Sequence, residues 1–300
     1  MGCLRGSLIC SIWCLCFVSG ACAGQPLPAK LAAEVYARAT NQFGAAVFFT
    51  PTRATNTDLP WQLVPLIIQE VASGQTSVPS LRDQFGTLGL SHGVPAIESS
   101  RPTVCWATDS VQVNGRPHAR LFYQWCYPPS IATDQRPALL RQGIRMTLDS
   151  RGQPAIWEIL ADTSGLRLIF VSQSLEAAAA AEFGKPLPGR RHSIERSLEQ
   201  APSVVVPRAT DDGPQAMGPI VYLSEGTRNV STLICRCMPA QVKQLLATRT
   251  FDLTALDVAT LKAFLATAST GSNTPPAFWP GDERAEDRLD NCLRLPEKFQ

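Results

Sequence analysis

The sequence predicts an α+β fold, an antiparallel β-sheet of hairpins and a β-meander flanked by N-terminal and C-terminal helices. Three observations carry this expectation. Between about Thr103 and Cys237, apolar and polar residues alternate in short runs separated by tight-turn sequences. The stretch after Pro28 carries apolar residues at helical spacing, and the stretches after Pro239 and Thr254 are rich in helix formers.

The chain opens with Arg5, an apolar run from Leu8 to Val18, and small residues ending in Ala21-Cys22-Ala23. This is the layout of a secretory signal peptide over residues 1–23, with cleavage before Gly24. The apolar run falls short of the roughly 20 residues that span a bilayer. Cys22 offers a second reading, a lipidated cysteine at a membrane-tethered mature N-terminus. Ser19, where such signals usually carry Leu, favours release, so the expected location is exported, periplasmic or extracellular, with the lipoprotein as alternative. No later run approaches a transmembrane span. Residues 24–268 are expected to form a single domain with a sub-boundary near 184–192, followed by a weakly ordered tail over 269–300.

A net charge of +2, from 27 Lys and Arg against 25 Asp and Glu, gives no electrostatic reason to expect nucleic acid as partner. The expected partner is a protein or another envelope component. With 45% hydrophobic residues the chain has the material for a packed core.

Taken in order, Leu31, Val35 and Ala39 mark a helix that stops at Gly44, and "AAVFF" follows as a short strand. "LVPLII" is strand or buried helix, and residues 73–101 read as a long loop with one helical turn near Leu81 to Phe85. "TVCWA", "VQV" and "HARLFYQWCY" are strand-like around the turn "NGRP". Three further runs, divided by "SRGQ" and "DTSG", make the meander, with Ile144, Met146 and Leu148 on a core face and Arg145, Thr147 and Asp149 on a wetter one. "SLEAAAAAEFG" is a helix ending at Gly184, and "HSIERSLEQA" reads as a short helix. "IVYL" and "NVSTLICRC" form a second hairpin, with helices expected over Pro239–Ala247 and Thr254–Ala266. Phe278, Trp279 and Cys292 would anchor the tail.

Five of the ten cysteines lie in the leader, which leaves Cys105, Cys126, Cys235, Cys237 and Cys292, an odd number in a compartment that permits disulfides. A four-residue loop over Asn114–Pro117 would set Cys105 opposite Cys126, within reach of a disulfide; a two-residue Asn-Gly turn would set Cys105 opposite Gln124 instead. Cys235 and Cys237, with Met238 beside them, are candidate redox or soft-metal residues. A strand would place both sulfurs on one face, and a helix starting at Pro239 would stabilise a thiolate at Cys237. No second ligand pair stands at metal-site spacing, so no cofactor is predicted, with Cu or Zn as the ions such a pair would take.

Arg190, Arg191 and His192 concentrate donors that suit an anion, although a solvated linker is the leading reading of these residues. Asp211-Asp212 sits in a Gly-Pro loop that favours turn chemistry. Tyr123, Trp125 and Tyr127 share one strand face, expected to lie under the C-terminal helices. His118 and Cys126 stand too far apart on one strand to be a catalytic dyad. The leading function is therefore a non-enzymatic binding or structural protein of the envelope or secreted fraction. A thiol-redox or soft-metal protein is the second reading, and a hydrolase using His118 or His192 the third.

Overall fold

The computed structural model describes residues 28–39, 42–52, 58–71, 83–129, 139–268, 280 and 288–297. The leader with Cys22, and Phe278 and Trp279, lie outside the described residues.

The helix α1 (Pro28–Arg38) leads into β1 (Gln42–Pro51), a single turn α2 (Leu59–Gln62) and β2 (Leu66–Glu70). A separate hairpin, β3 (Thr87–Ser91) and β4 (Val94–Glu98), precedes the long strands β5 (Thr103–Val113) and β6 (Arg116–Cys126). The meander is β7 (Arg141–Leu148), β8 (Pro154–Ile159) and β9 (Arg167–Ser172), and α3 (Gln173–Phe183) follows it. Two short strands, β10 (Val204–Val205) and β11 (Ala209–Thr210), lead to the hairpin β12 (Pro219–Leu223) and β13 (Val230–Cys235). The chain ends with β14 (Gln241–Ala255), α4 (Val258–Ala268) and α5 (Leu289–Cys292).

Twelve of these strands form one mixed sheet in the order β10-β9-β8-β7-β6-β5-β14-β1-β2-β12-β13, with β11 also on β9. This overturns the expected antiparallel sheet flanked by helices. The hairpins and the meander are antiparallel as read, but β14 runs parallel to both β1 and β5, β12 parallel to β2, and β10 and β11 parallel to β9. The decisive segment is Gln241–Ala255, whose first half reads as a helix because Gln, Lys, Leu and Ala are good helix formers. Between β1 and β5 the backbone of this segment instead completes two parallel ladders, and tertiary pairing outweighs a propensity of a few tenths of a kcal/mol per residue.

Other expectations change with it. "HSIERSLEQA" forms turns rather than a helix, and the supposed loop before Arg101 contains the β3–β4 hairpin, turned at His92-Gly93 with positive φ at both. Asp257 accepts the backbone N–H groups of Ala259 and Thr260 and so caps α4, which therefore starts later than expected.

The sheet coils until its ends approach, with the Thr210 hydroxyl on β11 donating to the Leu233 carbonyl on β13 at 3.1 Å. Its inner face carries the main core. Val47, Phe49 and Ile67 from one half meet Leu121, Tyr123, Trp125, Met146 and Phe170 from the other. The aromatic stripe is thus buried by the opposite half of the same sheet, not by the C-terminal helices. Its polar atoms are satisfied there: Tyr123 donates to the Pro60 carbonyl at 2.8 Å and the Trp125 indole to the Tyr127 hydroxyl at 2.9 Å.

The opposite face of the meander is also dry, contrary to the wetter face expected. Arg145 and Glu158 are both 0% exposed and form a two-bond pair, with N–O distances of 2.6 Å, that Arg167 joins. Buried charges persist only when paired in this way. Gly143 lets β7 close on β6, because a Cβ there would run into the Tyr123 carbonyl and the Gln124 backbone. Asn229, which opens an Asn-Val-Ser glycosylation sequon, is 3% exposed, with its amide nitrogen on the Thr163 hydroxyl at 2.7 Å, so this fold leaves it no room for a glycan.

Candidate functional site

Among the described residues, two cavities hold three of the candidate cysteines, Cys235 in one and Cys105 and Cys126 in the other. The larger, about 430 Å3, opens at one end of the coiled sheet, where the β7–β8 turn faces the loop between β11 and β12. The turn contributes Asp149, Arg151 and Gln153, the loop contributes Asp211, Asp212 and Gln215, and Trp157 and Cys235 complete the wall.

Local chemistry holds this rim in place. Asp149 accepts the backbone N–H groups of Arg151 and Gln153 at 2.9 and 2.8 Å, which fixes the turn. Asp212 accepts from the Ser174 backbone at 2.9 Å and from its hydroxyl at 2.7 Å, tying the loop to the first turn of α3. Asp211 is exposed. Trp157 is 5% exposed, and its indole nitrogen has no hydrogen-bond partner among the described residues. A buried indole N–H normally finds an acceptor, so this donor is a feature to be explained.

Cys235 and Cys237 are joined in a disulfide beside this mouth, with Cα atoms 5.2 Å apart. The helix expected from Pro239 is absent because β14 takes up the chain from Gln241, and with it goes the dipole that would stabilise a thiolate at Cys237. In the bridged state neither sulfur is a metal ligand; Met238 is 37% exposed. Among the described residues no three His, Cys, Asp or Glu side chains cluster as a metal site would require.

The second cavity, about 280 Å3, lies between the β3–β4 hairpin, β5, β6, the end of β14 and α4. Both Cys105 and Cys126 line it as free thiols. Asn114 and Gly115, with φ of 48° and 75°, form a two-residue turn that sets Cys105 opposite Gln124, so the register that would face Cys105 with Cys126 is not the one adopted. The two thiols are diagonal neighbours on one face. Burial pushes the Cys126 thiol up to about 12 and raises Cys105 as well, so both stay protonated at neutral pH.

The remaining candidates make hydrogen bonds within the fold. At Arg190, Arg191 and His192 the anion is internal: Glu195, 1% exposed, accepts the backbone N–H groups of Arg191 and His192 at 3.1 and 3.0 Å. Arg190 turns inward to the carbonyls of Ala201 and Val204, each at 2.6 Å. His118 is 4% exposed, with Nδ1 2.9 Å from the Leu148 carbonyl oxygen, which places the proton on Nδ1. Cys292 is 3% exposed and accepts from Arg167 at 2.8 Å.

Sequence reasoning missed Trp157 and Gln124. Strand alternation assigns each to a face, and only the pairing of distant elements makes those faces walls of cavities. Among the described residues no helix is long and apolar enough to cross a membrane. No family model, curated protein or solved structure matches this chain.

Proposed function

We propose that this is an exported, non-enzymatic binding protein that takes a neutral polyhydroxylated ligand, a saccharide, in the mouth lined by Trp157. The observation that carries the reading is the Trp157 indole N–H, buried in that wall without an acceptor. Around it stand Asp211 and Asp212 as acceptors, with Gln153 and Gln215 as donors, while Arg151 and Asp149 form an ion pair at 3.0 Å on the rim. Vicinal hydroxyls both donate and accept, so they match a rim that mixes carboxylates, amides and a guanidinium. Concave sites with a few convergent polar groups, including the mouths of coiled sheets, are the usual places for small ligands. Export is supported by the leader-like layout of residues 1–23 and by the Cys235–Cys237 disulfide, which suits an oxidising compartment.

Calorimetric titration of the protein with neutral disaccharides is expected to give saturable binding. Trp157→Phe, which keeps the ring and removes the N–H, is expected to weaken it about tenfold, as one unmet hydrogen bond allows. Absence of saccharide binding, or equal affinity in the variant, overturns the reading. The place of export is read separately by intact mass of the protein from its own host. A start at Gly24 is expected, and a diacylglyceryl mass on Cys22 would make the protein a tethered lipoprotein instead.

A further inference from the structure

We propose that the thiol-lined cavity is a second binding site, for a small, mostly apolar molecule carrying one carbonyl oxygen. It does not depend on the saccharide reading, because it concerns a different cavity.

The inference rests on Gln124. This side chain lines the cavity and is 3% exposed, and its amide nitrogen has no hydrogen-bond partner among the described residues. The amide cannot be turned around, because its oxygen accepts from Arg141 at 3.5 Å and a guanidinium is a donor only. The Nε2 group is therefore a buried donor beside the cavity without an acceptor among the described residues. A buried amide donor left unmet costs free energy that a ligand oxygen recovers.

The rest of the lining sets the class of ligand. Cys105 and Cys126 flank Gln124 as protonated thiols, which are small, weakly polar groups. Leu88 and Leu90 of β3 form one wall, and Leu256 and Leu261 from the β14–α4 junction another. The one carboxylate at the rim, Asp257, is already engaged in capping α4. An anionic ligand would find no cation in this lining, whereas an apolar chain ending in a carbonyl would satisfy the amide and bury its tail against leucines. The volume of about 280 Å3 lies near the lower end for small-molecule sites, about 300 Å3, so the ligand is compact.

The test uses the full chain and 2-octanone as probe, with calorimetry for affinity and infrared spectroscopy for the bound carbonyl. Saturable binding is expected, with the carbonyl stretch shifted to lower frequency than in alkane solvent. Gln124→Leu is expected to weaken binding about tenfold and to abolish that shift. Absence of binding, unchanged affinity in the variant, or an alkane-like carbonyl stretch in the wild type overturns the proposal. If Gln124→Leu does not fold, the wild-type stretch and the alkylation rate of Cys105 decide. Slower reaction with N-ethylmaleimide in the presence of 2-octanone supports the site, and an unchanged rate overturns it.

Discussion

Glu158→Gln is expected to lower the unfolding free energy by about 3–5 kcal/mol, the cost of leaving buried cations without their counter-charge. Glu158 has no exposed surface and accepts from Arg145 through two bonds and from Arg167 through a third. Burial alone would raise its pKa, but the two guanidinium charges and their hydrogen bonds pull it down to about 2, against an ordinary value of 4.5. The glutamine is isosteric and cannot carry the charge, so both cations lose it together. Urea unfolding followed by circular dichroism measures the loss, and a difference below about 1 kcal/mol would show that solvent reaches this face.

The same carboxylate sets an acid limit. A group whose folded pKa is depressed contributes stability that is complete above its unfolded value and is lost as pH falls toward the folded one. The wild type is therefore expected to lose this contribution between pH 4.5 and about 2, while the Glu158→Gln variant has none to lose there. Replacing Arg145, Glu158 and Arg167 together by apolar residues of similar volume is expected to restore most of the stability, because a buried ion network returns little more than its desolvation cost.

Glu195→Gln is expected to cost about 3 kcal/mol and to release α1 from the body of the protein. Besides the backbone donors of Arg191 and His192, Glu195 accepts the Val206 N–H at 2.9 Å, and the Tyr36 hydroxyl lies 2.8 and 2.9 Å from its two oxygens. Every neighbour is a donor, so an amide NH2 placed among them removes one acceptor and adds a competing donor. Each unmet buried donor costs about 1–3 kcal/mol. Tyr36 lies on α1, so the helix loses a contact that the Arg38–Asp162 pair at 2.6 Å only partly replaces. Limited proteolysis is expected to cut within α1 in the variant and not in the wild type. Tyr36→Phe, which removes one donor and leaves the acceptor intact, is expected to cost about 1 kcal/mol. Equal losses in the two variants would mean that Glu195 acts only through Tyr36.

Local chemistry made much of this architecture legible in the sequence. The sequence marks a turn at "NGRP" without its length, the meander strands alternate cleanly around "SRGQ" and "DTSG", and the alanine run ends at Gly184, where φ is 77°. Each of these depends on residues within about ten positions of one another, where turn geometry and periodicity act directly. Cys105 and Cys126 were legible as near neighbours for the same reason, although the choice of turn decided their register.

What the sequence alone could not determine is which distant edges and faces meet. The parallel pairings of β14 with β1 and β5, and of β12 with β2, join segments far apart in the chain, and no turn residue records them. Only the tertiary structure turns "QVKQLLA" from a helix former into a strand, because the ladders offered by β1 and β5 outweigh a small local preference. The same coiling brings Trp157 beside Asp211 and Cys235, and sets Gln124 under the leucines of a hairpin that reads as a loop. Alternation fixes that a side chain leaves one face of its strand, whereas the opposing wall, and with it the chemistry of the cavity, comes from long-range packing.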